Sequence, residues 1–164
     1  MNMESAASAK QFIEVANEVG SGSLGLNRAG ELAGKGEDGD IKFTFEYLGF
    51  LFAVRAAASE QRTNVRFHAN LGNMPYTGES AERRRDAMNI LWFAAAKLGG
   101  RVRMTPEQRI LLTEEFWLDE PLTPTALMTC AAKLLLKAKP YLELLIAVVS
   151  PPARVADGVP ESID

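Results

Sequence analysis

Between Ile41 and Leu71 the chain changes character at every second residue, and this period of two constrains the fold more than any other feature. Ile41, Phe43, Phe45 and Tyr47 alternate with Lys42, Thr44 and Glu46. Val65, Phe67, Ala69 and Leu71 alternate with Arg66, His68 and Asn70. Successive side chains of a strand point to opposite faces, so each run predicts a half-buried β-strand. The run between them, Phe50 to Ala57, is apolar on both faces, with Phe50, Phe52 and Val54 set against Leu51 and Ala53. Such a strand is covered on both sides, which puts it at the centre of a sheet or at an interface. Only Leu48-Gly49 and a polar stretch from Ser59 to Thr63 separate the three runs. Connections this short imply antiparallel neighbours, because a parallel pair needs a crossover of about a dozen residues or more.

The meander ends at Gly72-Asn73-Met74-Pro75, since proline fixes its own φ and has no N–H to give to a ladder. Ser80 then reads as a helix N-cap, with Glu82 in the first turn where the dipole favours an anion. Ala87, Met88, Leu91, Trp92, Ala95 and Leu98 form the expected buried stripe, and Gly99-Gly100 closes the helix. Arg101 to Thr105 and Arg109 to Trp117 read as two further strands joined at Pro106-Glu107-Gln108. Thr123 caps a last helix with Pro124 at its first position, where a missing N–H does no harm. That helix is expected to reach about Val149. Its stripe is Leu127, Ala131, Leu134, Ala138, Tyr141, Leu145 and Val149, widened by Met128, Leu135, Leu142 and Ile146. Pro140 should kink or split it near Lys139.

The rest of the chain is less regular. Residues 1–8 are small and polar and predict a flexible start. Phe12, Val15, Ala16 and Val19 mark a short amphipathic helix over Ala9 to Val19, ended by Gly20. Ser21 to Gly39 is rich in glycine and charge and reads mostly as loop, the alternative being a weak edge hairpin turning at Asn27-Arg28-Ala29-Gly30. Residues 150–164 bear prolines and polar groups and predict a disordered tail. Residues 9–149 therefore form one α+β domain in the order α-β-β-β-α-β-β-α, a five-stranded, mainly antiparallel sheet with helices packed on it.

A net charge of −3 argues against general nucleic-acid binding, which calls for a basic stripe. The single cysteine, Cys130, excludes an internal disulfide and a thiolate zinc cluster, and fits a reducing, cytoplasmic setting. The start, MNMESAASAKQF, has no apolar signal-peptide core, so no signal peptide is expected. Tyr141 to Val149 is too short for a bilayer, which takes about 20 residues. A soluble protein without a membrane partner is expected.

No pattern for catalysis or cofactor binding stands up. Gly20-Ser21-Gly22-Ser23-Leu24-Gly25 matches G-x-G-x-x-G, but a predicted helix precedes it where the dinucleotide fingerprint needs a strand. Gly34-Lys35-Gly36 lacks the Ser or Thr of a phosphate loop. Glu37-Asp38-Gly39-Asp40 runs straight into a strand, so it is a solvated turn rather than a calcium loop. His68, the one histidine, lies on the polar side of its strand with no nucleophile beside it in sequence, and reads as solvent-facing or hydrogen-bonded. Cys130 reads as a small buried hydrophobe. Arg83, Arg84 and Arg85 point in different helical directions, so with Arg101 and Arg103 they read as a solvated face, with an acidic partner segment as the second reading.

The positive signal is a surplus of apolar surface. A two-layer protein of this size has trouble burying both faces of Phe50 to Val54 and the whole stripe of the last helix. Phe50, Phe52, Val54, Leu135, Leu142 and Ile146 are therefore the candidate protein-binding residues, for a second copy in a homodimer or for a client polypeptide. Two alternatives are a small-ligand pocket between helix and sheet near Phe67, Trp92 and Trp117, and an enzyme built around His68 and acidic residues.

The run Asn64-Val-Arg-Phe-His-Ala-Asn-Leu-Gly-Asn-Met-Pro75 entering a helix, and the lead Leu118-Asp119-Glu120-Pro121-Leu122-Thr123 into the last one, resemble the YbjN family and the CesT-like type III secretion chaperones. The resemblance covers about Asp40 to Tyr141. It implies a non-enzymatic, often dimeric α+β protein that binds other proteins or acts as a regulator, with no cofactor and no catalytic residues.

Overall fold

The computed structural model describes residues 24–26, 32–34, 40–58, 62–119 and 121–149. The expected helix over Ala9 to Val19, the flexible start and the tail after residue 149 lie outside the described residues. Within 21–39, read mostly as loop, two short strands pair instead. In this ribbon, β1 (Leu24–Leu26) runs antiparallel to β2 (Leu32–Gly34), with Leu24 opposite Gly34 and Leu26 opposite Leu32. Of the two readings of this stretch, the pairing bears out the weak hairpin, with one strand on either side of the expected turn at 27–30.

The main sheet has the order β3-β4-β5-β7-β6, antiparallel at every pairing. Its members are β3 (Ile41–Tyr47), β4 (Phe50–Ala58), β5 (Thr63–Asn73), β6 (Val102–Met104) and β7 (Arg109–Leu118). Leu48 and Gly49 form a two-residue hairpin with φ of 53° and 78°. Two positive φ values in succession match the right-handed twist of the flanking strands. Between α1 (Ala81–Lys97) and α2 (Pro124–Val148) the chain adds only β6 and β7. The arrangement is α+β.

One face of the sheet is apolar except at Glu114. Across the strands, one row reads Phe45, Phe52, Ala69, Leu112, Val102, and the next Phe43, Val54, Phe67, Glu114. Phe45 stacks on Phe52 at 5.1 Å, and Phe67 meets Phe116 edge to face at 5.9 Å. Both helices cover this face, through Ala87, Leu91, Ala94 and Leu98 of α1 and Leu127, Cys130, Leu134, Ala138, Leu142 and Leu145 of α2. The other face carries the polar positions, including Arg55, Arg66, His68, Thr113 and Glu115.

The exit from β5 is a bulge. Asn70 pairs with Leu111 and Gly72 with Ile110, leaving Leu71 as the extra residue, fully buried. The Asn70 side-chain oxygen accepts the Gly72 N–H at 3.0 Å, and Gly72 takes a φ of 112° that suits only glycine. Met74 then donates its N–H to the Gln108 carbonyl at 2.8 Å. Arg84 joins both loops to the helix start, donating to the Pro75 carbonyl and to Gln108 Oε1, each at 2.8 Å. The middle arginine of the triplet is therefore structural and not part of a free basic face.

Both expected N-caps form. Ser80 Oγ accepts the Arg83 N–H at 3.2 Å and Thr123 Oγ1 the Ala126 N–H at 3.1 Å. The helix α2 runs through Pro140 as one element, so of the expected kink or split near Lys139 the split does not occur. Pro140 and Leu136, whose carbonyl loses its N–H partner, both lie on the exposed side. Water can satisfy that carbonyl, and a proline in such a place is tolerated.

Candidate functional site

The expected apolar binding residues do not form an exposed surface. Phe50, Phe52 and Val54 lie under the helices in the core, Phe52 with no exposed area, and Leu142 is buried beside them. Leu135 is half-buried and only Ile146, at 47%, is open. The reason is the register: the face of β4 that carries Phe50, Phe52 and Val54 is the one the helices cover. On its other face Leu51 is partly open, while the single methyl of Ala53 is buried between Thr44 and His68 on the neighbouring strands. The expected pocket near Phe67, Trp92 and Trp117 does not form either. Phe67 is core, Trp92 points away from the sheet, and Trp117 lies on the opposite sheet face.

The apolar surplus is real but sits elsewhere. Trp92 is 78% exposed and Phe93 67% on α1; Leu136 is 75% exposed on α2, where Met128, Leu144 and Ile146 are also open. In α1 the core stripe passes through Ala87, Leu91, Ala94 and Leu98, whereas the expected stripe used Ala95 and included Trp92. Ala94 was the missed signal. Once it is the inward residue, a 100° step per residue turns Trp92 and Phe93 to the outside. The two helices run antiparallel, since α1 starts at the sheet end marked by Pro75 and Gln108 and α2 starts after Leu118 at the other. Lys97 of α1 and Lys137 of α2 line one cleft. Phe93, one turn before Lys97, and Leu144, two turns after Lys137, are both open to solvent on the helix layer.

That cleft has a volume of about 300 Å³. Leu98, Leu112 and Leu134 form its apolar walls, and Lys97, Arg101, Glu114, Lys137 and Tyr141 its polar lining. Glu114 is the one charged residue in the inward row of β7, which sequence alone marks as odd among Ile110, Leu112 and Phe116. It is buried and pairs with the Arg101 guanidinium, whose side chain is 43% exposed against 9% for Glu114. The hydrogen bond to Glu114 pushes the Arg101 pKa up, against a smaller opposing effect of burial. Arg101 Nη1 also donates to the Leu98 carbonyl at 2.7 Å. It thus caps the last turn of α1 while neutralising the carboxylate.

On the polar face, His68 is buried rather than solvent-facing, opposite Thr113, whose hydroxyl lies 3.5 Å from Nδ1. Burial, then the charges of Arg66 and Arg103, hold its pKa below the usual value, with Glu115 acting the other way. Glu115 is engaged by Asn64 and by Arg66 at 3.1 Å. Burial raises the Glu115 pKa, but these two donors outweigh it and hold the carboxyl below its ordinary range. Cys130 is buried, which pushes its thiol pKa up despite Lys133, so it packs as a small neutral side chain. Among the described residues no group of three His, Cys, Asp or Glu side chains could hold a metal, and no helix is long and apolar enough to cross a membrane. Scans against protein-family models and curated proteins find no match to the chain.

Proposed function

We propose that the chain is a non-enzymatic protein-binding module that self-associates through the outer surface of its helix layer. The observation that carries this reading is the adjacent pair Trp92 and Phe93, open on the outward side of α1. Leaving two neighbouring aromatic rings in water forgoes a large burial free energy, and such residues dominate the energetics of interfaces. Leu136 and Leu144 are open on α2 as well. The resemblance of the β5 exit and of the lead into α2 to YbjN-like proteins and secretion chaperones points the same way, towards a dimeric protein that binds polypeptides. A cytoplasmic setting fits the single, buried cysteine.

The test is sedimentation equilibrium of the wild type and of the Trp92→Asp/Phe93→Asp variant over micromolar to near-millimolar concentrations. The wild type is expected to be a dimer and the variant a monomer with an unchanged far-ultraviolet spectrum. A wild type that stays monomeric throughout, or a variant that dimerises as tightly, would refute the reading.

A further inference from the structure

We propose that the cleft between the end of α1, strand β7 and the middle of α2 binds a small organic carboxylate with an apolar body. This goes beyond the interface on the outer helix surface and does not depend on it. Three cations, Lys97, Arg101 and Lys137, meet one carboxylate, Glu114, around a cavity of about 300 Å³. Arg101 is committed to Glu114 and to the Leu98 carbonyl. Among the described residues Lys97 and Lys137 have no ion-pair partner, although the chain as a whole is acidic and the neighbouring Lys139 is paired with Glu143 at 3.7 Å. The negative end of the α1 dipole, worth about half a charge, is partly cancelled by the Arg101 contact. Lys97 and Lys137 are both exposed residues of this lining and leave it with a net charge of about +2, which draws an anion towards the apolar walls.

The walls decide the class of anion. Leu98, Leu112, Leu134 and the ring of Tyr141 present hydrocarbon, which a bare inorganic ion cannot use. Glu114, already paired with Arg101, takes one of the three cations out of play and leaves the two lysines for a single anionic head. An aryl or short-chain carboxylate satisfies both conditions: its head reaches the two lysines and its body fills the apolar part. The volume suits a free small acid, at the low end of ordinary ligand cavities, which begin at about 300 Å³.

Isothermal titration of the full chain with phenylacetate and hexanoate tests the site, with acetate, phenylacetamide and inorganic phosphate as comparisons. Both acids are expected to bind saturably, acetate and phosphate more weakly for want of an apolar body, and the amide more weakly for want of a charge. Lys97→Met with Lys137→Met should weaken the acids about tenfold or more, since a single charge-assisted hydrogen bond is worth at least that factor. Amide chemical-shift changes in the wild type should centre on Leu98, Leu112 and Leu134, a readout that needs no variant. The proposal is overturned if neither acid binds, if acetate, the amide or phosphate binds as tightly, if the double variant keeps full affinity, or if the shifts map elsewhere. None of these results touches Trp92 or Phe93, so the site and the interface stand or fall separately.

Discussion

Removing the ring of Phe52 and removing the ring of Trp92 should have opposite kinds of consequence. Phe52 has no exposed area, stacks on Phe45 at 5.1 Å and sits in the row that runs from Phe45 to Val102. Phe52→Ala deletes a buried ring and leaves a cavity, at a cost of about 3–5 kcal/mol, of which the stack accounts for about 0.5–1.5 kcal/mol. For a chain of this size a loss of about 4 kcal/mol lowers Tm by about 8–16 °C. Trp92 is 78% exposed, so Trp92→Ala should change the monomer by no more than about 0.5 kcal/mol. Its effect should instead grow with protein concentration, because a residue of an association surface stabilises the fold only through the dimer it helps to form. Thermal melts of both variants at low and high concentration read the difference. The reasoning fails if Phe52→Ala melts within a couple of degrees of the wild type, or if Trp92→Ala is as damaging in dilute solution as in concentrated solution.

Breaking the Arg101–Glu114 pair should be asymmetric in urea titrations. Arg101→Met strands a buried carboxylate and should cost about 2–3 kcal/mol, whereas Glu114→Gln leaves a half-exposed guanidinium that water can reach and should cost about 1 kcal/mol or less. His68 has a folded-state pKa below its unfolded value of 6.5, so between the two the unfolded chain binds more protons. The His68 contribution to stability should therefore be full above pH 6.5, fall as the pH drops below it and level off under the folded pKa. His68→Gln should flatten that segment, and an unchanged slope would remove the argument. Pro140→Ala restores a backbone hydrogen bond inside α2 at an exposed site and should raise the urea midpoint, by an amount corresponding to about 1–3 kcal/mol.

The sheet was legible because its signals are local. Alternation from Ile41 to Leu71, the Leu48-Gly49 turn, the stop at Pro75 and the caps Ser80 and Thr123 each follow from a few neighbouring residues, and each has its counterpart in the structure. What could not be read is what depends on distant partners. Nothing near Arg109 says that β7 inserts between β5 and β6. The two apolar faces of β4 suggested an interface because sequence does not tell which face the helices take. The exposure of Trp92 is a separate matter within α1, where the inward residue is Ala94 in place of the expected Ala95. Glu114 broke an apolar row without revealing its partner, since Arg101 reaches it only once β6 and β7 have paired.

The insertion of β7 between β5 and β6 also sets the order of events in which the chain can assemble. The meander β3-β4-β5 is joined by short turns and can form from local contacts. The long β5–β7 ladder must instead close the whole segment from Asn73 to Arg109, which contains α1 and β6. Loop closure of that kind is entropically slow, and a docked α1 shortens the distance to be searched. Arg84, which ties the first turn of α1 to both ends of that loop, stands at the junction. Weakening α1 should therefore appear as slower folding. Weakening α2, which follows the completed sheet, should appear as faster unfolding.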